Sequence, residues 1–392
     1  MIYYILLGVF FLSSIFDLNV KNERGIILLK KYIYFVSIII LVFFAGLRFD
    51  TGWDYKGYHY YYDSMPTLNA LPSNLGVFRE IYFEPGFKLL MSLSKTLGAD
   101  YYGFQFIISS LCVFMIHRAI KKENAKLLII FMYFSTCYLF LNMSVLRQGI
   151  AVALLYLSLS VLYEGKKSKA IFYILLGCSF HSSLLLFLPM VYISDKRNIS
   201  NRLLYLLVAV AVFVYFLQMH WLKPIFNILS PIFPHDLGYK INNYLDSERF
   251  GRSREIGLGV IEKIVTFITL LYVYSKDSSR KNMVLLRFFI FYMITYFAFY
   301  EVTVLYDRLR LYFVAVNVFV YLTIFNFFSG YNKLVIFFIV ILYSSFSYFN
   351  IFRSESNASV FIPYHNVLES ENSIPAKFKG DLRIDRAIEM DH

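Results

Sequence analysis

Five short polar clusters interrupt an otherwise apolar chain, and their residue types suit two tasks: gripping a phosphate and taking a proton from a hydroxyl. The richest is ArgPheAspThrGlyTrpAspTyrLysGlyTyr, Arg48 to Tyr58. Carboxylates at Asp50 and Asp54 can deprotonate a sugar hydroxyl, and Arg48 can hold an anionic phosphate through its two-pronged guanidinium. The same residues also make an ordinary interfacial anchor, since Arg, Trp53 and tyrosines are common at headgroup depth. Glu84 precedes Pro85 in GluProGlyPhe, where an acidic residue suits the first turn of a helix; it reads equally as a cap and as a base or sugar ligand. Arg147 and Gln148 lie between two apolar blocks. A guanidinium at that depth is costly unless it is paired, faces a water-filled cavity or snorkels to the surface. His181, with Ser182 and Ser183, breaks an apolar block near its middle, which marks either a functional residue or a hydrogen bond between helices. TyrAspArgLeuArgLeuTyr adds Asp307, Arg308, Arg310 and Tyr312. Asp307 can neutralise one arginine, and the rest extend the guanidinium set that a pyrophosphate requires.

Other chemistries lack support. The chain has no Walker loop, no GxGxxG fingerprint, no HExxH and no catalytic-serine elbow, which leaves nucleotide hydrolysis, dinucleotide binding and zinc proteolysis without a motif. It also lacks an AspXAsp pair of the metal-dependent sugar-nucleotide type, so a donor carried on lipid pyrophosphate fits better than a nucleotide sugar. No cofactor and no metal are expected. Cys112, Cys137 and Cys178 each sit inside an apolar block, as buried thiols do.

The elements that must position these clusters are membrane spans. Of 392 residues 58% are hydrophobic and 16% charged, against about 25% charged in soluble domains. Apolar blocks of bilayer-spanning length occur at 2–18, 31–47, 103–117, 127–142, 145–163, 170–192, 203–221, 258–275, 284–303, 311–328 and 333–350. Because backbone groups in lipid must be satisfied internally, unalternating blocks of this length predict an all-α polytopic bundle of about 10–12 transmembrane helices. The net charge of +12 gathers in short connectors, which points to orientation in a membrane rather than to nucleic acid. Connectors around Lys21–Lys31, Arg118–Lys126 and Lys276–Lys281 are then cytoplasmic, which puts the amino terminus and segments 48–101, 239–256 and 304–310 outside. Pro85–Leu97, interrupted by Lys88 and Lys95, is read as interfacial or re-entrant, because a full crossing would invert the next basic loop. Block 170–192 has basic residues on both flanks. Either it is broken near His181 and returns, or an irregular membrane segment follows at 221–238. The reading is one membrane domain, 1–350, and a mixed-charge tail, 351–392.

Taken in order, Arg48, Asp50-Gly52-Asp54, Tyr58, GluProGlyPhe at 84–87, ArgGln at 147–148, PheHisSerSer at 180–183 and ArgXXXTyr at 308–312 resemble the EpsG family of Wzy-type polymerases over roughly residues 1–350. The resemblance implies a glycosyltransferase of the bacterial inner membrane that works at its outer face without nucleotide sugars. It would transfer a growing glycan from undecaprenyl pyrophosphate to a hydroxyl of another lipid-linked repeat unit. Partners would be donor and acceptor lipids, with a chain-length regulator and a flippase of the same pathway. Site residues carried over are Asp50, Asp54, Glu84 and His181 for catalysis, and Arg48, Tyr58, Arg147, Gln148, Arg308 and Tyr312 for substrate. Arg48, Arg147 and Arg308 are expected to converge on one outer cavity. A lipid-linked oligosaccharide flippase and an O-antigen ligase-type transferase are the competing readings. The flippase is disfavoured because no convincing internal repeat accompanies the polar motifs.

Overall fold

A computed structural model describes residues 1–18, 23–194, 201–229, 257–301, 303–369 and 380–390. Among the described residues seven helices are long and apolar enough to cross a membrane: Arg24–Gly46, Tyr101–Ala119, Leu146–Tyr163, Leu258–Lys276, Arg280–Ala298, Leu309–Phe327 and Gly330–Arg353. Shorter apolar helical stretches cover Ile2–Leu18, Lys126–Tyr138, Ser182–Ser194 and Asn201–Phe216. Only 11% of the most apolar window of Arg24–Gly46 is buried by protein, so Leu28, Phe35 and Phe43 face outward. Lipid is the solvent that makes such a face stable. The protein is an all-α polytopic membrane protein.

The chain forms two compact units. The first comprises Met1–Val161, Ser168–Leu185 and Phe325–His392. In it Arg24–Gly46 packs along Tyr101–Ala119, and Ile2–Ile15 along Lys126–Tyr133, where Phe10 meets the edge of Phe134 at 4.8 Å. The helix that starts at Lys126 then widens into π-helical turns, Phe134–Tyr138 and Phe140–Ser144, before a new helix begins at Leu146. Such wide turns recur at functional sites. Here they set Arg147 at the mouth of a span rather than in its middle.

Block 170–192 is broken at His181, as one of the two alternatives requires. Helix Lys167–Cys178 ends in a turn in which the His181 N–H donates to the Gly177 carbonyl at 2.9 Å, and a 3-10 helix, Ser182–Phe187, follows. Pro85–Thr96 is a helix of 12 residues, roughly 18 Å long, too short for a hydrocarbon core of about 30 Å. Its lysines bind carbonyls: Lys88 Nζ donates to Phe78 and Ile81, and Lys95 Nζ to Tyr62 and Asp63.

The tail after 350 is built into this first unit. Helices Glu355–Phe361 and Gly380–Glu389 pack on one another, and His365–Asn366 pairs antiparallel with Arg48–Phe49. Trp53 Nε1 donates to Asn357 Oδ1 at 2.8 Å, Tyr364 donates to the Phe44 carbonyl, and Arg383 donates to the carbonyls of Asp50, Ser359 and Pro363.

The second unit comprises Leu162–Lys167 and Leu186–Ile324. Its centre is Arg280–Ala298, flanked by Asn201–Phe216 and Leu258–Lys276. Buried Arg287 is held by Asn201 Oδ1 and the Ile193 carbonyl.

Candidate functional site

Glu84 stands in the position before a helix, yet its side chain does not cap that helix. It reaches across the first unit instead. Oε2 accepts from Arg147 Nη1 at 2.7 Å; Oε1 accepts from the Ser182 N–H at 3.1 Å and lies 3.3 Å from both Ser182 Oγ and His181 Nδ1. Two turns must approach closely for this, and glycine permits it. The Gly86 N–H donates to the Ser179 carbonyl at 2.8 Å, and a Cβ on Gly86 would lie 2.4 Å from Ser179 Oγ and 2.7 Å from Ser179 O. GluProGlyPhe is thus one device: Pro85 starts the helix, Gly86 lets the turns touch, and Glu84 bridges them.

Arg147 also lies over the Phe83 ring, 4.6 Å from its centroid, and within 5.5 Å of Tyr82. Buried Tyr58 packs on Phe83 and Phe87, and its hydroxyl faces Asp54 Oδ2 at 3.3 Å. Burial raises the Tyr58 phenol; Asp54 adds to that rise and the neighbouring Arg147 charge opposes it. Asp54, Tyr58, Arg147, Glu84 and His181 therefore form one chain of interacting groups. The side chains of Glu84, Arg147 and His181 keep 14%, 17% and 18% of their surface, so the cluster is only partly enclosed.

Glu84 lies outside the spanning helices. Burial would push its carboxyl up, but the hydrogen bonds from His181 and the Ser182 N–H and the charge of Arg147 outweigh it and hold the group at about 2. An ionised carboxylate only accepts, so His181 Nδ1 carries the proton in this contact. In the neutral ring Nε2 is then the accepting nitrogen.

The loop before Tyr58 is rigid for different reasons. Asp50 has φ +42°, a left-handed conformation that Asp tolerates, and Gly52 has φ +113°. A Cβ on Gly52 would lie 1.9 Å from the Met143 carbonyl oxygen. Arg48 is fully buried; Nε donates to the Thr51 carbonyl and Nη1 to that of Ala45. It braces the loop from inside, and Gln105 Nε2 donates to the Arg48 carbonyl. Gln148 is buried beside Arg147 in the sequence. Arg308 and Tyr312 stand on helix Thr303–Phe327 of the second unit. Tyr312 is buried against Phe187 at 4.9 Å, whereas the Arg308 side chain lies outside the described residues, as does segment 239–256.

Across the protein, a family model described as the EpsG family matches residues 31–366. The chain belongs to the EpsG family. EpsG proteins are Wzy-like polysaccharide polymerases, and the role of this chain lies in polysaccharide biosynthesis. The EpsG match covers all five polar clusters and runs past the expected end at 350 to include His365–Asn366. It stops before Arg383, which pins the Asp50 carbonyl. No curated protein and no solved structure matches the chain.

Several polar groups escaped the sequence reading. Glu262 and Lys263, inside the apolar block 258–275, form an ion pair at 3.1 Å; Tyr321 donates to Glu262, and Lys263 lies 4.1 Å from the Tyr296 ring centroid. Adjacent opposite charges within a span were the available signal. Arg383 carried none, being one basic residue among several in a mixed-charge tail. Among the described residues no group of three or more His, Cys, Asp or Glu could hold a metal ion.

Proposed function

We propose that this protein is a membrane glycosyltransferase that joins oligosaccharide repeat units carried on undecaprenyl pyrophosphate, at the outer face of the cytoplasmic membrane. The observation that carries the reading is the partly exposed Arg147–Glu84–His181 cluster, backed by Tyr58 and Asp54. In the reaction an acceptor hydroxyl oxygen attacks the anomeric carbon of the donor glycan, the bond from that carbon to the pyrophosphate oxygen breaks, and lipid pyrophosphate leaves with the bonding electrons. Negative charge grows on the leaving group, and a fixed guanidinium beside it lowers the barrier. Arg147, held by Glu84 and lying over the Phe83 ring, is the guanidinium assigned that task in this reading.

The hydroxyl proton needs an acceptor. Glu84, held at about 2, is a weak base and suits the orienting role, fixing the His181 ring through Nδ1. His181 Nε2 or the Asp54 carboxylate then receives the proton, and Tyr58 ties Asp54 to the arginine side of the cluster.

The test is the chain length of surface polysaccharide in cells making normal amounts of each variant. Arg147→Lys keeps the charge but loses the planar fork, and His181→Ala removes the base or its dyad; each should cut polymerisation about tenfold or more, leaving single capped repeat units. Wild-type banding from both variants would remove the site.

A further inference from the structure

The end of the first unit remote from the Glu84 cluster carries a second polar concavity. Helix Arg24–Gly46 connects the two ends: Lys30 lines the concavity, and Gly46, roughly 24 Å further along the axis, leads into the Arg48 loop. The cavity has a volume of about 630 Å³, within the range that holds small ligands. Its charged lining is Lys30, Lys31, Lys126 and Lys333 with Asp17 and Glu123, four cations against two anions.

These lysines come from three separate helices, Arg24–Gly46, Lys126–Tyr133 and Gly330–Arg353. Folding gathers them although like charges repel, and that repulsion is strongest in a concave, partly desolvated space. The two carboxylates offset only part of the four positive charges. Asp17 Oδ2 already accepts from the N–H groups of Leu127 and Leu128, and Asp17 Oδ1 lies 3.8 Å from Lys30 Nζ. The start of helix Lys126–Tyr133 is thereby capped from within, and the net positive charge of the lining is what the cavity offers a ligand. Ammonium is a compact point charge that pairs well with phosphate oxygens. Exposed Ile27 and buried Leu127 add apolar surface to the wall.

We propose that this cavity binds a phosphate-bearing anion, either the headgroup of an acidic phospholipid or a free phosphate compound. The cavity does not depend on the reaction assigned to the Glu84 cluster, and its test involves no polymerisation.

Full-length protein is placed in phosphatidylcholine nanodiscs with and without phosphatidylglycerol, and its thermal unfolding midpoint is read. A parallel arm adds inorganic pyrophosphate to the phosphatidylcholine discs against chloride of equal ionic strength. Lys126→Gln/Lys333→Gln removes two cavity charges; Lys121→Gln/Lys122→Gln removes two from the neighbouring connector outside the lining. Wild type and the connector variant should gain about 3 °C or more in one arm, and the cavity variant markedly less. A gain with phosphatidylglycerol assigns the site to a headgroup, and a gain with pyrophosphate assigns it to a free phosphate compound. Equal responses of the two double variants would reduce the effect to general surface charge and overturn the proposal, as would no response of wild type in either arm. If the cavity variant does not fold, exposed Lys31→Gln compared with Lys121→Gln makes the same distinction.

Discussion

Glu84 ties together three segments of the first unit through Arg147, His181 and the Ser182 N–H. Its pKa falls from the ordinary 4.5 to about 2, so the folded state holds the ionised form more tightly than the unfolded chain does. The sign follows from linkage: the stabilisation is fully present above about 4.5 and is lost as pH falls toward 2. Glu84→Gln should therefore unfold at a lower temperature than wild type at neutral pH, and the gap should close on acidification below pH 4.5. Thermal melts of detergent-purified protein across that range test it. A gap that stays constant to the acid end would show that the carboxylate charge contributes nothing. Arg48 lies at the other extreme, since its guanidinium is fully buried and bonds backbone carbonyls through Nε and Nη1. Arg48→Lys should reduce folded yield, because an ammonium cannot span the Thr51 and Ala45 carbonyls in the same planar geometry.

At the scale of elements, the cluster exists because two turns touch. The turn at 84–87 and the turn at 177–182 have no interval in sequence that announces their contact, yet Gly86 lies where any side chain would strike Ser179. Gly86→Ala should separate them, costing about 2 kcal/mol or more and detaching Glu84 from Ser182. Gly52→Ala should be at least as harmful, combining a left-handed φ with a clash against Met143. Gly57→Ala is the control, because a Cβ there meets nothing within 4 Å. Monodisperse yield on size exclusion would rank the three. A Gly86→Ala protein as stable and active as Gly57→Ala would mean that the close approach is dispensable.

At the scale of the whole molecule, the carboxy-terminal segment belongs to the frame of the first unit. Arg383, nearly inaccessible, donates to three carbonyls, one of them in the Asp50–Asp54 loop. Burial lowers its pKa to about 10, still far above neutrality, so the charge persists at working pH. Truncation after residue 369 should leave membrane insertion intact, since every candidate span among the described residues precedes it, while loosening the loop and shortening the polysaccharide. Protease sensitivity of the Arg48–Asp54 loop, with chain length in the same cells, measures both effects; wild-type behaviour in each would make the tail dispensable. Orientation is a separate question. A cysteine at Gly57 should react with an impermeant thiol reagent on spheroplasts and one at Asn124 should not; the reverse pattern would invert the topology drawn from the basic connectors.

The sequence by itself determined that the chain crosses a membrane many times as helices, because apolar length and backbone satisfaction leave no other solution. It also made certain polar residues conspicuous, since charge within apolar surroundings is costly enough to stand out: Glu84, Arg147 and His181 were all visible. Tertiary structure alone decided how those residues are used. Whether an arginine faces a ligand or a carbonyl depends on contacts between segments far apart in the chain, and so Arg147 pairs with Glu84 while Arg48 is enclosed by its own loop. For block 170–192 the sequence offered a break at His181 as one of two alternatives, but not the contacts that hold the turn there, a backbone hydrogen bond and the Glu84 carboxylate across the unit. The role of the tail was equally hidden, because a single buried Arg383 has no periodicity to betray it and gains its meaning only from the carbonyls it meets.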